Sequence, residues 1–371
     1  MIINSIIIPV YGNEKLVYNL LGSLLPTVDN ECEIIIIDDG HKDMKINSSI
    51  LPSQIIYQSN AKNSGYSFAV NRGIDIAIGQ YITVINSDIL LDTNWLIETR
   101  IFCENNPDLG MLGAKLIYPD YGRIMHAGIY FGHGFCFNGF RMSLSQDKLV
   151  NKIVEVQALC DALATIPKRA LLEVGRYDEH YFTSVEDLDL CFKLKQSGLR
   201  NIYNPKIIGY HKTAASLDQR YKQVEKDEIL FFEKWKDCIK DDTFEIFERS
   251  VLRGIKTKTN LPKEAYIINL NRKNSKATLQ NFIRLSDIKV ISLFDYSDYL
   301  SNTPRYIQKT KIDLLDLLPF SHIQLRLPIV YIVDFFVSIE ENYYWSKQRR
   351  NSDDLVFDSG FNLFYLRELT K

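Results

Sequence analysis

Four short runs of β-branched and aromatic residues, three of them closing on a polar tip, limit what this chain can fold into more than any other feature. In Glu33-Ile-Ile-Ile-Ile37 no polar residue interrupts the last four positions, as expected of a strand covered on both faces. Ile6-Ile7-Ile8 is a second such strand, stopped by Pro9, and Ile55-Ile56-Tyr57 and Tyr81-Ile-Thr-Val-Ile85 are two more. Between them, Leu16–Leu25 and Ser67–Ile78 place apolar residues at helical spacing. This alternation predicts an α/β, doubly wound, mostly parallel sheet. Ligands bind such sheets beyond the carboxyl ends of the strands. The tips Pro9-Val10-Tyr11, Asp38-Asp39 and Asn86-Ser87-Asp88 all fall there. Each alone would be an ordinary loop; their convergence on one edge predicts a site.

A second acidic cluster lies downstream. In Ser184-Val-Glu-Asp-Leu-Asp-Leu-Cys-Phe-Lys-Leu-Lys-Gln-Ser-Gly198, Glu186, Asp187 and Asp189 precede an apolar stripe of Leu188, Cys191, Phe192 and Leu194. Acids at a helix start complement its dipole, so capping alone would explain them. Paired with Asp88 at a strand end, they also predict a metal-diphosphate site facing a general base. A dinucleotide fold would need G-x-G-x-x-G after the first strand, but Pro9-Val10-Tyr11-Gly12-Asn13 has one glycine, and a Walker A loop is missing. Phosphates then call for another counter-charge. A divalent cation, Mn2+ or Mg2+, held by Asp88 supplies it, because hard cations take carboxylate and phosphate oxygens.

Composition narrows the rest. The 371 residues, 46% hydrophobic, suffice for more than one unit, and a net charge of −2 gives no reason to expect nucleic acid as a partner. The six cysteines are scattered without C-x-x-C pairs or zinc spacing, which predicts buried free thiols in a reducing compartment. Met1–Pro9 lacks the basic and long apolar regions of a signal peptide, and no run reaches the length of a membrane span. The expected location is cytoplasmic, extending to the inner face of the cell membrane.

From Ile3 to about Ser216 the chain resembles the family 2 glycosyltransferases of the GT-A fold, in their bacterial surface-polysaccharide form. Ile8-Pro-Val-Tyr11 looks like the opening strand and turn against the nucleotide, involving Pro9, Val10 and Tyr11. Ile37-Asp-Asp-Gly40 with Asp43 matches the "DDGS-x-D" element, which implies that Asp39 meets a uracil. Asn60–Ile74 matches "N-x-G-x-x-x-A-x-N-x-G-I" near the donor, bringing in Asn63, Gly65 and Asn71. Asn86-Ser87-Asp88 stands at the DxD position, with Asn for the first Asp and Asp88 as metal ligand. Glu186-Asp187 matches the "ED" element, whose Asp is the base, with Glu186 beside it in the catalytic pair. Gly209–Ser216 resembles "H-H-x-x-x-S", which implies that a helix, a turn and a returning strand bring His211 to the metal. Tyr121–Gly128 resembles "G-x-I-x-H-A-G", making His126 an acceptor candidate, although a lone histidine is more often a structural hydrogen-bonder; His133 has that reading too. Asp161 stands where small residues are commoner, and either contacts the acceptor sugar or caps a turn.

The resemblance implies an inverting transfer from a UDP- or dTDP-sugar to a hydroxyl of a glycan, lipid-linked or protein acceptor. Two other readings stand beside it: a sugar-phosphate nucleotidyltransferase, which would want a basic glycine-rich first loop, and a non-catalytic scaffold of the same fold. The organisation expected is a GT-A catalytic domain over 1–240, with a nucleotide-binding half to about 115 and an acceptor half from about 116. A smaller C-terminal appendage, helical or mixed α/β, follows over 241–371. Tyr221–Lys240 reads as a charged helix, 256–262 as a linker, and Ala265–Leu270 and Lys289–Phe294 as strands about a helix near 276–285. The apolar tail from Leu314, with Pro328–Ile339 at its centre, reads as a buried helix or homo-oligomer interface, or else as a helix lying on a membrane surface.

Overall fold

The computed structural model describes residues 2–41, 46, 51–52, 55–120, 122–132, 135–141, 144–146, 148, 150–182, 184–212, 221–240, 242, 263–269, 288–295, 329–333, 355–358 and 363–365. The chain divides into two compact units, Met1–Lys240 and Asp241–Lys371.

In the first unit the predicted alternation is realised as β1 (Asn4–Val10), α1 (Glu14–Leu24), β2 (Cys32–Asp38), β3 (Ile55–Ser59), α2 (Tyr66–Ile76) and β4 (Tyr81–Ile85). There follow β5 (Ile89–Leu91), α3 (Trp95–Glu104), β6 (Leu109–Tyr118), and the short β7 (Arg123–His126), β8 (Ile129–Gly132), β9 (Phe135–Asn138) and β10 (Val154–Glu155). The unit closes with β11 (Leu163–Pro167), α4 (Lys168–Glu173), α5 (Glu186–Gln196), β12 (Arg200–His211) and α6 (Tyr221–Trp235).

The strands form a sheet in the order β10-β12-β6-β11-β4-β1-β2-β3. Every residue of β1 and β2 is buried. Alternate side chains feed opposite faces: Ile6 and Ile8 join Ile34, Ile36, Leu20 and Trp95 in one core, whereas Ile7 meets α2 so closely that a Cβ on Gly73 would lie 2.5 Å from it. Each such isoleucine contributes about 1.5–3 kcal/mol by leaving water.

Strands β3, β2, β1 and β4 are parallel, as are β6 and β12, but β11 runs antiparallel to both β4 and β6. A parallel return needs a crossover, usually a helix; between β6 and β11 the described residues supply only short strands and turns, so the chain comes back reversed. This reversal puts Leu163 opposite Ile85, so the start of β11 shares an edge with the end of β4. On β12, His211 lies opposite Ile89 of β5, just past Asp88. The sheet thus gathers Tyr11, Asp39, Asp88, Asp161 and His211 along one edge.

Helix α6 packs on α5 through Phe192, Phe231 and Trp235. Asp189, fully buried, accepts hydrogen bonds from Trp235 Nε1 (2.7 Å) and Tyr181 Oη (3.2 Å) and pairs with Lys234 Nζ (2.7 Å). This third acid of the cluster therefore locks two helices together.

In the second unit the described strands are β13 (Glu264–Asn269), β14 (Lys289–Asp295), β15 (Ile329–Val333), β16 (Leu355–Asp358) and β17 (Leu363–Tyr365). They pair in the order β14-β13-β15-β16-β17, parallel except for β17. The helix expected over Pro328–Ile339 is corrected here: Ile329–Val333 is a parallel strand. Ile-Val-Tyr-Ile-Val is β-branched and aromatic throughout, and a short apolar run cannot be sorted into helix or strand by content alone. The expected linker at 256–262, the helix near 276–285 and the tail at 314–328 and 334–350 lie outside the described residues. Among the described residues no helix is long and apolar enough to cross a membrane.

Candidate active site

The turn after β2 is built by its two acids. Asp38 Oδ1 accepts the Gly40 N–H (3.0 Å), and Oδ2 accepts the hydroxyls of Tyr57 (2.8 Å) and Ser59 (3.3 Å). Asp39, also buried, accepts Asn60 Nδ2 (2.9 Å) and the N–H groups of Ser64 (3.0 Å) and Gly65 (2.8 Å). It thereby folds the loop that carries Asn63, whose Oδ1 also accepts the Gly65 N–H (3.1 Å). Gly65 has φ +98°, and a Cβ there would stand 2.9 Å from the Phe182 carbonyl oxygen, so glycine is needed twice over. Pro9 and Val10 are buried in β1, and Tyr11 beyond them is 48% exposed, edge-on to the His41 ring at 4.9 Å. Asp43 lies outside the described residues.

Beyond β4, Asn86, Ser87 and Asp88 are half-buried. Asn86 N–H donates to the Ala162 carbonyl (2.9 Å), and its Oδ1 accepts the Tyr66 hydroxyl (3.1 Å). The β5–β12 register brings His211 Nε2 to 3.0 Å from Asp88 Oδ1. His211 Nδ1 is buried with no hydrogen-bond partner among the described residues. Asp88 and His211 together offer one carboxylate and one imidazole, a donor set that a divalent cation can take. No group of three or more His, Cys, Asp or Glu suited to hold a metal occurs among the described residues.

Helix α5 starts at Glu186, and Val185 before it has φ +59°. A β-branched residue there is backbone strain next to the acids, of the kind that collects at working sites. Asp187 accepts the Leu188 N–H at Oδ1 (2.8 Å) and the Asp161 N–H at Oδ2 (3.3 Å). Burial, reinforced by the Asp161 charge, pushes its carboxyl up to about 8. Asp161, 3% exposed, is pushed up to about 6 by burial, opposed by hydrogen bonds from Tyr177 (2.8 Å) and Tyr66. Glu186 is driven well above the carboxylate range by burial and by Asp187, and its Oε2 has no partner among the described residues. Burial thus raises the proton affinity of all three acids, that of Asp187 and Glu186 more than that of Asp161.

Two candidates turn out to have structural tasks. His126 is fully buried: Nδ1 meets Asn138 Oδ1 (2.7 Å), and Nε2 accepts the N–H groups of Gly128 (3.3 Å) and Cys160 (3.4 Å). Burial lowers its pKa to about 4, so it is a neutral buried brace between Asn138 and the backbone at Gly128 and Cys160. Asn71 clamps Tyr177, accepting its N–H (3.2 Å) and donating to its carbonyl (2.9 Å), with a further bond to Glu179 (2.8 Å). Sequence reading passed over Tyr66 and Tyr177. Their partners lie far off along the chain, which leaves no local signal in the sequence for either phenol.

Residues 5–146 match the family model "Glycosyl transferase family 2". Among curated relatives, an uncharacterized protein, y4gI, of Sinorhizobium fredii is 28% identical over 231 residues, covering 57% of this chain and 24% of the relative. The glycosyltransferase GlyG of Streptococcus pneumoniae is 31% identical over 102 residues, 26% of this chain and 33% of GlyG. The chain thus spans about a quarter to a third of the length of these relatives. Of solved structures, GalNAc-T7 with UDP, GalNAc and Mn2+ superposes with a TM-score of 0.53 at 14% identity, over 86% of this chain and 58% of that one, a likeness of fold. Residues 5–146 are thus similar to glycosyltransferase family 2 sequences, and the sheet that carries them is mixed, mostly parallel α/β, with GT-A-like structural neighbours.

Proposed function

We propose that the chain is an inverting glycosyltransferase that moves a sugar from a UDP- or dTDP-sugar to a hydroxyl of a glycan, lipid-linked or protein acceptor. The carrying observation is a continuous run of contacts along the sheet edge. Asp88 meets His211 at 3.0 Å, Asn86 bonds to Ala162, and Asp161 bonds to Asp187. These contacts support a reading in which Asp88 and His211 face the donor diphosphate and Asp187, next to Asp161, faces the acceptor hydroxyl.

In this reading Tyr11 and the Asp39-braced loop hold the nucleoside, with a pyrimidine N3–H as a further donor to Asp39. When bound by Asp88 and His211, Mn2+ or Mg2+ supplies positive charge for the departing diphosphate. Asp187 takes the acceptor hydroxyl proton as its oxygen forms the new bond to the anomeric carbon and the bond to the diphosphate breaks. A positioned base of this kind contributes about 10²–10⁴-fold. One displacement inverts the anomeric centre. The UDP and Mn2+ of GalNAc-T7 and the family match support the choice of donor and ion. The resemblance of Tyr121–Gly128 supports surface-polysaccharide assembly as the setting, and cysteines that are all free support the cytoplasm.

The test is a thermal-shift panel of nucleoside-diphosphate sugars with and without Mn2+, on wild type and Asp88→Ala, followed by product analysis. A Mn2+-dependent rise with one donor, absent in the variant, and release of nucleoside diphosphate are expected. Pyrophosphate release would point to nucleotidyl transfer instead, and no shift with any donor would favour a scaffold.

A further inference from the structure

We propose that Asp161 is a positioning residue for the transfer: its carboxylate, held by the phenols of Tyr177 and Tyr66, sets a fixed negative charge against Asp187 and makes it a stronger base. The proposal rests on Asp187 acting as the base. Where the family resemblance finds a small residue, this chain buries an acid, and burial of an acid without purpose is costly.

The geometry that holds it is specific. Tyr177 Oη donates to Asp161 Oδ2 at 2.8 Å, and Tyr66 donates to the same carboxylate. Hydrogen bonds to the ionised form favour it, so Asp161 keeps its charge in a buried place. Its own N–H meets Asp187 Oδ2 at 3.3 Å, which fixes the two acids side by side. Helix α2 delivers both phenols: Tyr66 is its first residue, and Asn71, one turn further, grips Tyr177 at both N–H and carbonyl. The two rings meet edge to face at 6.5 Å. Tyr66 Oη also lies 3.1 Å from Asn86 Oδ1, so its single proton is within reach of both Asn86 and Asp161.

The groups facing Asp187 and Asp161 are Glu186, Tyr66, Tyr177, Cys136, Cys160 and Cys191. None of these can add positive charge, so no cation among them offsets the Asp161 charge, and low exposure keeps solvent from screening it. A sugar hydroxyl is a weak acid, and a stronger base accepts its proton with a lower barrier.

The experiment is a carboxyl titration by NMR on the full chain carrying 13Cγ-labelled aspartate, with Asp187 assigned by its loss in Asp187→Asn. In Asp161→Asn the apparent midpoint of Asp187 should fall at least tenfold in proton affinity, and an unchanged midpoint overturns the proposal. Should that variant fail to fold, Tyr177→Phe decides: loss of a donor should raise the midpoint of Asp161 at least threefold, and no movement overturns it. In turnover assays, Asp161→Asn should move the rising limb of kcat against pH to lower pH and lower its plateau, whereas a merely structural role would reduce kcat without moving the limb. The titration needs no substrate, so absence of transfer by the wild type would overturn the functional reading while the midpoints still decide the charge coupling.

Discussion

Two pairs of acids stand on the same sheet edge and are supplied with donors in opposite ways. Asp38 and Asp39 are surrounded by N–H and O–H groups: three donors reach Asp39 alone, from Asn60, Ser64 and Gly65. Asp161 and Asp187 have fewer donors and each other, with Glu186 Oε2 lacking a partner beside them. Residue type is the same, so the surroundings decide the task. A carboxylate saturated with donors shapes backbone. A carboxylate crowded by another in a dry place holds a proton more tightly than a free one, close enough to neutral pH to trade it.

The largest effect that would break this contrast is chemical. Asp187→Asn keeps the size and one of the two backbone N–H contacts but cannot accept a proton, so nucleoside-diphosphate release should fall by about 10²–10⁴-fold. The donor-induced rise in melting temperature should persist in that variant. If turnover stays near normal, the crowded pair is not where the chemistry happens.

Next in size is the saturated pair. Asp39→Ala leaves buried donors of the 60–65 loop unpaired, at about 1–3 kcal/mol for each one that water cannot reach. The urea midpoint should drop and donor binding should vanish with it, in contrast to Asp187→Asn. A variant that keeps its stability would mean that the loop does not depend on Asp39. Gly65→Ala sharpens the same point at about 1–3 kcal/mol, because the methyl group meets the Phe182 carbonyl in a backbone conformation that alanine resists. Chemical denaturation of the purified variant measures it directly.

The sheet was legible because its strands carry a period-2 or continuous apolar signal and its helices a period near 3.6. Tyr81–Ile85 is a strand with the bounds expected, and the helix expected over Ser67–Ile78 is Tyr66–Ile76. Strands of two to four residues such as β5 and β10 carry no period and stayed invisible. Nor does an apolar run state its direction, so the reversal of β11, which brings Asp161 to the edge, had no signal. The run at Ile329–Val333 was misread for the related reason that apolar content alone does not choose between helix and strand. In the site, Asp88, Asp187 and His211 stand out as polar residues at element ends in a recognisable order. Tyr66 and Tyr177 do not, since what matters in them is a hydroxyl meeting a distant acid. Local order also overstated His126, whose ring is already filled by Asn138, Gly128 and Cys160.

The smallest effect separates the pairs by pH. Asp161 and Asp187, raised by burial to about 6 and about 8, bind protons in the folded chain that the unfolded chain, with ordinary aspartates near 3.8, has already released. Between pH 4 and 8 the native state therefore holds more protons than the unfolded state, and stability falls as pH rises. The contribution is fully present at the acid end of that window and is lost as pH passes through 6 and 8. A decline in melting temperature of about 2–4 °C is expected for each kcal/mol so lost. Asp161→Asn removes one of the raised acids and relieves the other, so its melting curve should be flatter over this window and should lie above the wild type at pH 8. Activity should move the other way across the same window, because the deprotonated Asp187 that weakens the fold is the form that takes the acceptor proton. Scanning calorimetry of both proteins at pH 5, 6, 7 and 8 tests this, and parallel curves would mean that the two acids do not share a proton in the native state.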